Sequence, residues 1–293
     1  MKLFVFGLGY SSLRFIELSG DRFARISGTV RQPGKREQLD RSGRYPRLEV
    51  HLFDGAACEP VVAARLGEAD FLLISVPPGQ AGDPVLAAFA ETLRASSARV
   101  VYLSTVGVYG DHQGGWIDEE TDVASDSERA KARLAAEASW RSIAGDRLAI
   151  LRLAGIYGPE RNALARLREG SARRIVKPGQ VFNRIHVDDI ARAIMAAVER
   201  QASGVFNICD DEPGPPQDVI AYAAKLLGVA PPPDEDFATA QMSPMARSFY
   251  ATSNRIRNTR ARRDLGLDLA FPNYREGLDR LWRDGEGQSR SSD

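Results

Sequence analysis

The feature that most constrains this chain is Gly7-Leu8-Gly9-Tyr10-Ser11-Ser12, which directly follows the apolar run Leu3-Phe4-Val5-Phe6. Such a run reads as a buried strand, and Ser11 to Leu18 reads as a helix that can pack Leu13, Ile16 and Leu18. A strand entering a helix through glycines is a device for holding phosphate. Gly7 permits the tight turn, and Gly9 lets backbone approach a pyrophosphate. The third position packs helix against strand and wants a small residue, here Ser12 rather than glycine. The helix start adds free N–H groups and a positive dipole end. Gly7, Gly9, Tyr10, Ser11 and Ser12 are therefore candidate cofactor residues.

The same alternation continues. Ile26–Val30, Leu48–Phe53, Phe71–Val76, Val100–Leu103 and Leu148–Leu153 read as strands, with Val85–Ala95 and Ser127–Trp140 as helices. Near-continuous apolar strands separated by helices argue a parallel sheet covered on both faces, an α/β doubly wound Rossmann fold. The second half is less regular. Arg161–Glu169, Val187–Glu199 and Asp218–Leu227 read as helices, Val205–Cys209 as a strand, and Pro231-Pro232-Pro233 as a stiff connector. The expected organisation is a dinucleotide-binding domain over 1–158, with 183–209 returning to it. A smaller, mostly C-terminal substrate-binding lobe takes 159–182 and 210–284, and the polar stretch 285–293 reads as a disordered tail.

The end of the second strand discriminates between nicotinamide cofactors. An acidic residue there would bind a ribose 2′-hydroxyl. This chain has Thr29-Val30-Arg31-Gln32 and then Lys35-Arg36. A guanidinium at Arg31 can pair with a 2′-phosphate and stack on adenine, so NADP is expected over NAD. The plain alternative is a solvated loop charge. Asp54, after the third strand, is placed to meet the adenine amine, and Ser75, Val76 and Pro77 end the fourth strand where a cofactor would cross.

Composition narrows the classes further. The 39 basic and 39 acidic residues balance, which excludes the footprint of a nucleic-acid coat protein. No stretch approaches the roughly 20 apolar residues of a membrane span. The apolar run from residue 3 meets its glycine turn at residue 7, too short for a secretory signal. Cys58 and Cys209 form no CxxC pair, and Cys209 is expected to be a buried thiol. His51, His112 and His186 lack metal-ligand spacing. The expectation is a cytoplasmic protein without a metal, bound to neither nucleic acid nor membrane, whose partner is a small-molecule substrate.

Four further segments carry a resemblance. They are Leu103-Ser104-Thr105-Val106-Gly107-Val108-Tyr109-Gly110, Leu151-Arg152-Leu153-Ala154-Gly155-Ile156-Tyr157-Gly158-Pro159, Ile185-His186-Val187-Asp188-Asp189-Ile190-Ala191 and Gly204-Val205-Phe206-Asn207-Ile208. In this order they resemble an extended short-chain dehydrogenase/reductase of the NAD-dependent epimerase/dehydratase type, over about residues 2 to 283. The resemblance implies an oxidoreductase or epimerase-like activity, with Thr105 as the catalytic Ser/Thr. It puts Tyr109, Arg161, Phe182 and His186 at the substrate, and offers a homodimer through the fourth and fifth helices.

The chain departs from that family where proton chemistry is done. The family's pair is Tyr-x-x-x-Lys on the fifth helix, and the stretch Ser125 to Trp140 contains no tyrosine. Aligning Leu134 to Glu137 with the family's Leu-Ala-Ala-Glu places Arg133 at the lysine and Arg129 at the tyrosine. A two-residue shift would place Lys131 and Ser127 there. A guanidinium has no acceptor and does not lose its proton near neutrality, so Arg129 can bind an anion or steady an oxyanion but cannot replace a phenol. Gly155 and Phe182 occupy positions where nucleotide-sugar binders carry Asn and Arg. The run Arg161, Arg166, Arg168, Arg173, Arg174 and Lys177 would lie beside the cleft and suggests an anionic ligand; surface charge is the plain reading. These departures place the chain in an atypical branch of the superfamily. The rival to an enzyme is a non-catalytic NADP-binding sensor or regulatory protein.

Overall fold

The computed structural model describes residues 1–123 and 127–287. The first half runs β1 (Lys2–Phe6), α1 (Tyr10–Ser19), β2 (Arg25–Val30), α2 (Pro33–Ser42), β3 (Leu48–Leu52), α3 (Pro60–Gly67), β4 (Phe71–Ile74), α4 (Pro84–Ala95), β5 (Arg99–Thr105), β6 (Trp116–Ile117), α5 (Glu128–Ala144) and β7 (Leu148–Leu153). There follow β8 (Gly155–Tyr157), α6 (Ala163–Arg168), β9 (Arg174–Val176), β10 (Arg184–His186), α7 (Val187–Glu199), β11 (Gly204–Ile208) and α8 (Pro216–Leu227). The chain closes with β12 (Asp234–Asp236), α9 (Pro244–Ser248), β13 (Arg255–Ile256), α10 (Thr259–Leu265) and α11 (Tyr274–Arg283).

Seven strands form a parallel sheet in the order β11-β7-β5-β4-β1-β2-β3. The chain winds from β1 outward through β2 and β3, then crosses back to β4 on the other side of β1. The strand order therefore reverses between β1 and β4, and a crevice opens at their carboxyl ends, where open α/β sheets bind ligands. Strand periodicity builds the two cores. Leu3 and Val5 of β1 enter one, with Phe15 of α1 and Ile190 and Ile194 of α7. Phe4 and Phe6 enter the other, with Val62 and Leu66 of α3, Phe89 of α4 and Trp140 of α5. Trp140 is fully buried and donates its Nε1–H to Asp83 at 2.8 Å, the carboxylate that caps α4.

The smaller lobe has its own core of Leu164, Ile220, Ala223, Tyr274 and Leu278, contributed by α6, α8 and α11. Two parts of the chain depart from the sequence reading. Ile256, Ala261, Leu265, Leu267 and Leu269, expected in the lobe, are buried in the core beside α7 and β11. Gly285–Gly287, expected to begin a disordered tail, lie on the lobe, where the Glu286 carboxylate accepts from Glu160 N at 3.0 Å and Asn162 Nδ2 at 3.1 Å. The rest of that stretch, 288–293, lies outside the described residues. Helix α2 had no periodic signal because it is polar nearly all round and buries only Leu39. Cys209 is buried, as its apolar context suggested. Among the described residues no helix is long and apolar enough to cross a membrane.

Candidate functional site

The glycine turn sits at the strand-order reversal. Gly7 has φ +91°, and a Cβ there would stand 3.0 Å from Val76 Cγ2 and 3.2 Å from Val76 N. Glycine is required both by the backbone conformation and by the close approach of the end of β4. Thr29 of β2 fixes the loop from the other side, its Oγ1 accepting from Gly7 N at 3.2 Å and its carbonyl from Leu8 N at 2.9 Å. The sequence reading gave Thr29 no role, because β2 also carries Ser27 and nothing local sets the Thr29 hydroxyl apart. Ser12 is fully buried and closes the turn, donating to Gly7 O at 2.6 Å while accepting from Gly9 N at 2.9 Å. That hydroxyl explains why serine can stand where glycine is usual.

A Cβ built on Gly9 meets nothing within 4 Å, so the residue faces open space above the start of α1. The first N–H groups of a helix lack intrahelical acceptors. An uncluttered glycine over a helix N-terminus fits a dinucleotide pyrophosphate. Tyr10 points elsewhere. Its hydroxyl donates to Pro159 O at 2.8 Å, the Arg161 guanidinium lies 4.4 Å above its ring, and burial pushes its pKa up to about 12. Tyr10 thus ties the glycine turn to the segment after β8.

The other cofactor candidates gather at the same sheet edge. Ser75 N donates to Phe6 O at 2.9 Å, which sets Ser75, Val76 and exposed Pro77 beside the turn. Arg31 is exposed at the end of β2 and has no ion pair among the described residues. Arg36, by contrast, pairs with Glu59 at 2.9 Å, and Lys35 donates to Gln38 at 3.2 Å. Asp54 Oδ1 accepts from Ala56 N at 2.9 Å and Ala57 N at 2.8 Å, closing the turn after β3. Those amides hold its carboxyl below the usual range.

On α5 the two candidate arginines part company. Arg129 is exposed in the first turn, without an ion pair among the described residues. Arg133 turns onto β5, its Nη1 donating to Tyr102 Oη at 3.0 Å and Leu103 O at 3.1 Å. Lys131 of the alternative register faces outward and pairs with Glu128 at 3.0 Å; Ser125, where the reading began, lies outside the described residues. Thr105 ends β5, its Oγ1 accepting from Gly107 N at 3.1 Å.

Behind Thr105 lies a buried polar circuit that the sequence reading missed. Glu137, fully buried, accepts from Ser104 Oγ at 2.5 Å, from Arg152 Nε at 3.2 Å and from Arg152 Nη2 at 2.8 Å. Arg152 lies 4.8 Å over the ring of Tyr109, whose hydroxyl donates to Asn207 Oδ1 at 2.8 Å. A guanidinium inside the apolar run 148–153 was the available clue. Tyr109 is fully buried in this circuit, contrary to the expectation that it meets substrate.

Beside Tyr10 opens a cleft of about 830 Å³, lined among others by Ile156, Arg161, Arg166, Phe182, Phe249 and Tyr250. Phe182 and Arg161, expected at the substrate, line this cleft. His186 does not. It lies behind the cleft wall at 2% exposure, where Nδ1 accepts from Asp188 N at 3.2 Å and caps α7. Its ring packs on Tyr157 and Phe271, and burial pushes its pKa down to about 4. Asp188 pairs with Arg14 at 2.6 Å. Asp189 accepts from Ala270 N and Phe271 N at 2.8 and 3.0 Å, and burial raises it to about 6.

The basic run is partly neutralised. Arg173 is clasped by Glu235, Arg174 pairs with Asp234 at 3.0 Å, and Lys177 donates to Tyr250 O. Arg161 and Arg166 have no acid partner among the described residues. No group of three or more His, Cys, Asp or Glu side chains among those residues could hold a metal ion.

Known proteins agree with this geometry. The NAD dependent epimerase/dehydratase family matches residues 84–209. A curated Streptomyces protein, 3-diazoavenalumate denitrifying reductase, is 31% identical over 284 residues, 87% of this chain and 91% of its own length. A conserved protein of unknown function from Silicibacter pomeroyi DSS, whose structure is solved, is 45% identical, with TM-score 0.87 over 97% of this chain and 99% of its own. The human epimerase family protein SDR39U1, solved with NADPH, shares the fold at 17% identity, with TM-score 0.72 over 97% of this chain and all (100%) of its own. On its sheet order, its glycine turn and these likenesses, the chain belongs to the NAD-dependent epimerase/dehydratase family of extended short-chain dehydrogenases/reductases.

Proposed function

We propose that this protein is an NADP-preferring oxidoreductase that acts on a small anionic molecule without a phenol as proton donor. One observation carries the reading. The glycine turn and the cleft are joined through Tyr10 and Arg161, so a cofactor on the turn and a ligand in the cleft would be neighbours. Gly7, Gly9, Ser11 and Ser12 would hold the pyrophosphate, Arg31 the 2′-phosphate and Asp54 the adenine, with Ser75, Val76 and Pro77 at the crossing. The nicotinamide supplies or accepts hydride when bound. Thr105, whose hydroxyl ends β5, and Arg129, exposed on α5, are the catalytic candidates, and neither lines the cleft itself, so a substrate would have to reach beyond it to meet them. Neither arginine can give up a proton near neutrality, so neither replaces the family's α5 phenol. The reading as a reductase draws support from the Streptomyces relative's name, and NADP from Arg31. It includes a cytoplasmic homodimer packed through α4 and α5.

A second reading, a non-catalytic NADP-binding sensor, is favoured by Arg133, which is occupied by Tyr102 and Leu103 where the family's lysine would serve the cofactor. Titration of NADPH and NADH by fluorescence tests the shared cofactor claim. One charge-assisted phosphate pair contributes roughly 1.5–3 kcal/mol, about 10- to 150-fold, which Arg31→Ala should remove. Equal affinities of the wild type for the two cofactors would sink it. Single-turnover oxidation of bound NADPH by candidate acceptors separates enzyme from sensor.

A further inference from the structure

We infer that Arg184 anchors the anionic group of the cleft's ligand, an oxyanion borne by a phosphate ester or a carboxylate. This rests on the reading above that the cleft takes an anionic molecule, and it names the residue that selects for one.

Strand alternation aims the side chain. Arg184 opens β10, and Ile185 after it is fully buried in the core beside α7. Successive residues of a strand face opposite ways. Arg184 therefore turns to the other side, into the cleft wall. The lining holds four arginines, Arg161, Arg166, Arg173 and Arg184, and among the described residues no Asp or Glu. The four are not equivalent. Arg173 is clasped by Glu235, and Arg161 and Arg166 are exposed. Of the four, only Arg184 is fixed by hydrogen bonds and yet lacks an acid.

Neutral groups hold it. Its Nη1 donates to Phe182 O at 3.1 Å, and its Nη2 to Gly214 O at 3.1 Å and Pro215 O at 3.3 Å. The Tyr274 ring centre lies 5.6 Å from its Cζ. A guanidinium fixed in this way has little freedom left to lose when a ligand arrives. The three carbonyls leave Nε–H and one Nη1–H without an acceptor among the described residues.

The carbonyls supply no counter-charge. Burial holds the Arg184 pKa below the usual guanidinium value, and the acid that acts on it most strongly is Asp210. Asp210 is 2% exposed, and its Oδ2 has no partner. Burial pushes Asp210 up to about 8, so at neutral pH it is mostly protonated and offsets little of the positive charge. Withdrawing a cation from water without a counter-ion is costly, and a ligand's oxyanion would relieve that cost.

Ligand-observed NMR titration with NADP⁺ present tests this, using phenyl phosphate, benzoate and benzamide, which share one ring and differ in the head group. At least one oxyanion should bind the wild type about tenfold or more tighter than benzamide. Arg184→Met should erase that preference and leave the affinity for benzamide unchanged. Arg184→Lys, which keeps a charge on a flexible stem, should retain part of it. Loss for phenyl phosphate assigns a phosphate ester, and loss for benzoate a carboxylate. Arg161→Gln and Arg166→Gln should each remove less. A preference that survives Arg184→Met, or that either exposed arginine removes instead, overturns the inference and leaves the anionic reading standing; so would a residue that only staples the three carbonyls, whose loss lowers stability alone. Should Arg184→Met not fold, an unchanged preference in Arg184→Lys overturns it equally. No preference for either oxyanion in the wild type removes the anionic reading as well. NADP⁺ is titrated separately into each variant, and absent cofactor binding by the wild type removes the oxidoreductase reading itself.

Discussion

Two serines show how differently the two ends of the site are built. Ser12 closes the glycine turn within five residues of chain, and the turn faces open space at Gly9. Ser104 reaches 33 residues along the chain to Glu137, and everything around it is filled. The first arrangement spends its hydrogen bonds on shaping a loop, and no side chain caps the helix amides above it. The second spends them internally, so Glu137, Arg152 and Tyr109 hold β5, α5 and β7 together and have nothing left for a ligand. Charged residues in a family motif are therefore poor guides to chemistry until their partners are known.

The largest effect expected from this comparison is at Gly9. Its φ of −100° suits any residue and its Cβ would meet no protein atom, so Gly9→Val should leave the fold intact. The side chain would occupy the space a pyrophosphate needs, and cofactor binding should fall below detection. Circular dichroism with a cofactor titration checks both halves. Tight binding by a folded variant would mean that the turn is not the phosphate site.

The next effect is on stability, at the closed end. Glu137→Gln leaves the Arg152 guanidinium buried at 4% exposure with its counter-charge gone. Breaking a buried pair from one side costs about 3–5 kcal/mol. Urea unfolding should show a loss of that order, largely relieved in Glu137→Leu with Arg152→Met, where both charges are removed. A double variant as unstable as the single one would show that the pair contributes more than the absence of an unpaired charge.

The open end was the more legible in the sequence because its information is local. Gly7, Gly9 and Ser12 act within one turn, and the strands of the sheet announce themselves by short apolar runs. The proposal for Arg31 is local in the same way, resting on its place after β2. The lobe could not. Gln180 Nε2 meets Thr252 O, and Asn254 Nδ2 meets Gly110 O, across 72 and 144 residues. Met245 lies on a five-residue helix, too short to show a period, and Phe249 just after it. His186 was misplaced because a histidine before a helix reads equally as a ligand-facing group or as a cap; only its burial decides.

His186 supplies the third prediction. Its folded pKa, about 4, lies below the ordinary 6.5, so the unfolded chain binds a proton first as pH falls. Stability is fully present above the unfolded value and is lost downward through the folded one. Between pH 7 and pH 5 the loss from this residue should be about 2 kcal/mol. His186→Asn keeps a good N-cap without a titrating ring, so its unfolding free energy should fall less over that interval. Denaturant melts at the two pH values decide it; parallel slopes for wild type and variant would mean that His186 is not the acid-sensitive group.

The smallest effects sharpen the comparison within one helix. Arg133 and Arg129 stand four residues apart on α5, on one face. Arg133→Ala removes donors from Tyr102 Oη and Leu103 O and should cost about 1 kcal/mol of stability. Arg129→Ala removes an exposed charge with no ion pair among the described residues, and its stability should stay within about 0.5 kcal/mol of wild type. If Arg129 acts, it acts on a ligand, through charge. Its loss would then lower turnover or affinity for an anionic acceptor without altering the pH–rate profile between about pH 6 and 9, because a guanidinium does not titrate there. Thermal melts and pH profiles of the two variants, measured together, separate the roles. Equal destabilisation by both substitutions would mean that Arg129 also belongs to the closed end of the site, and a profile that changes shape on its removal would mean that another group on α5 exchanges the proton.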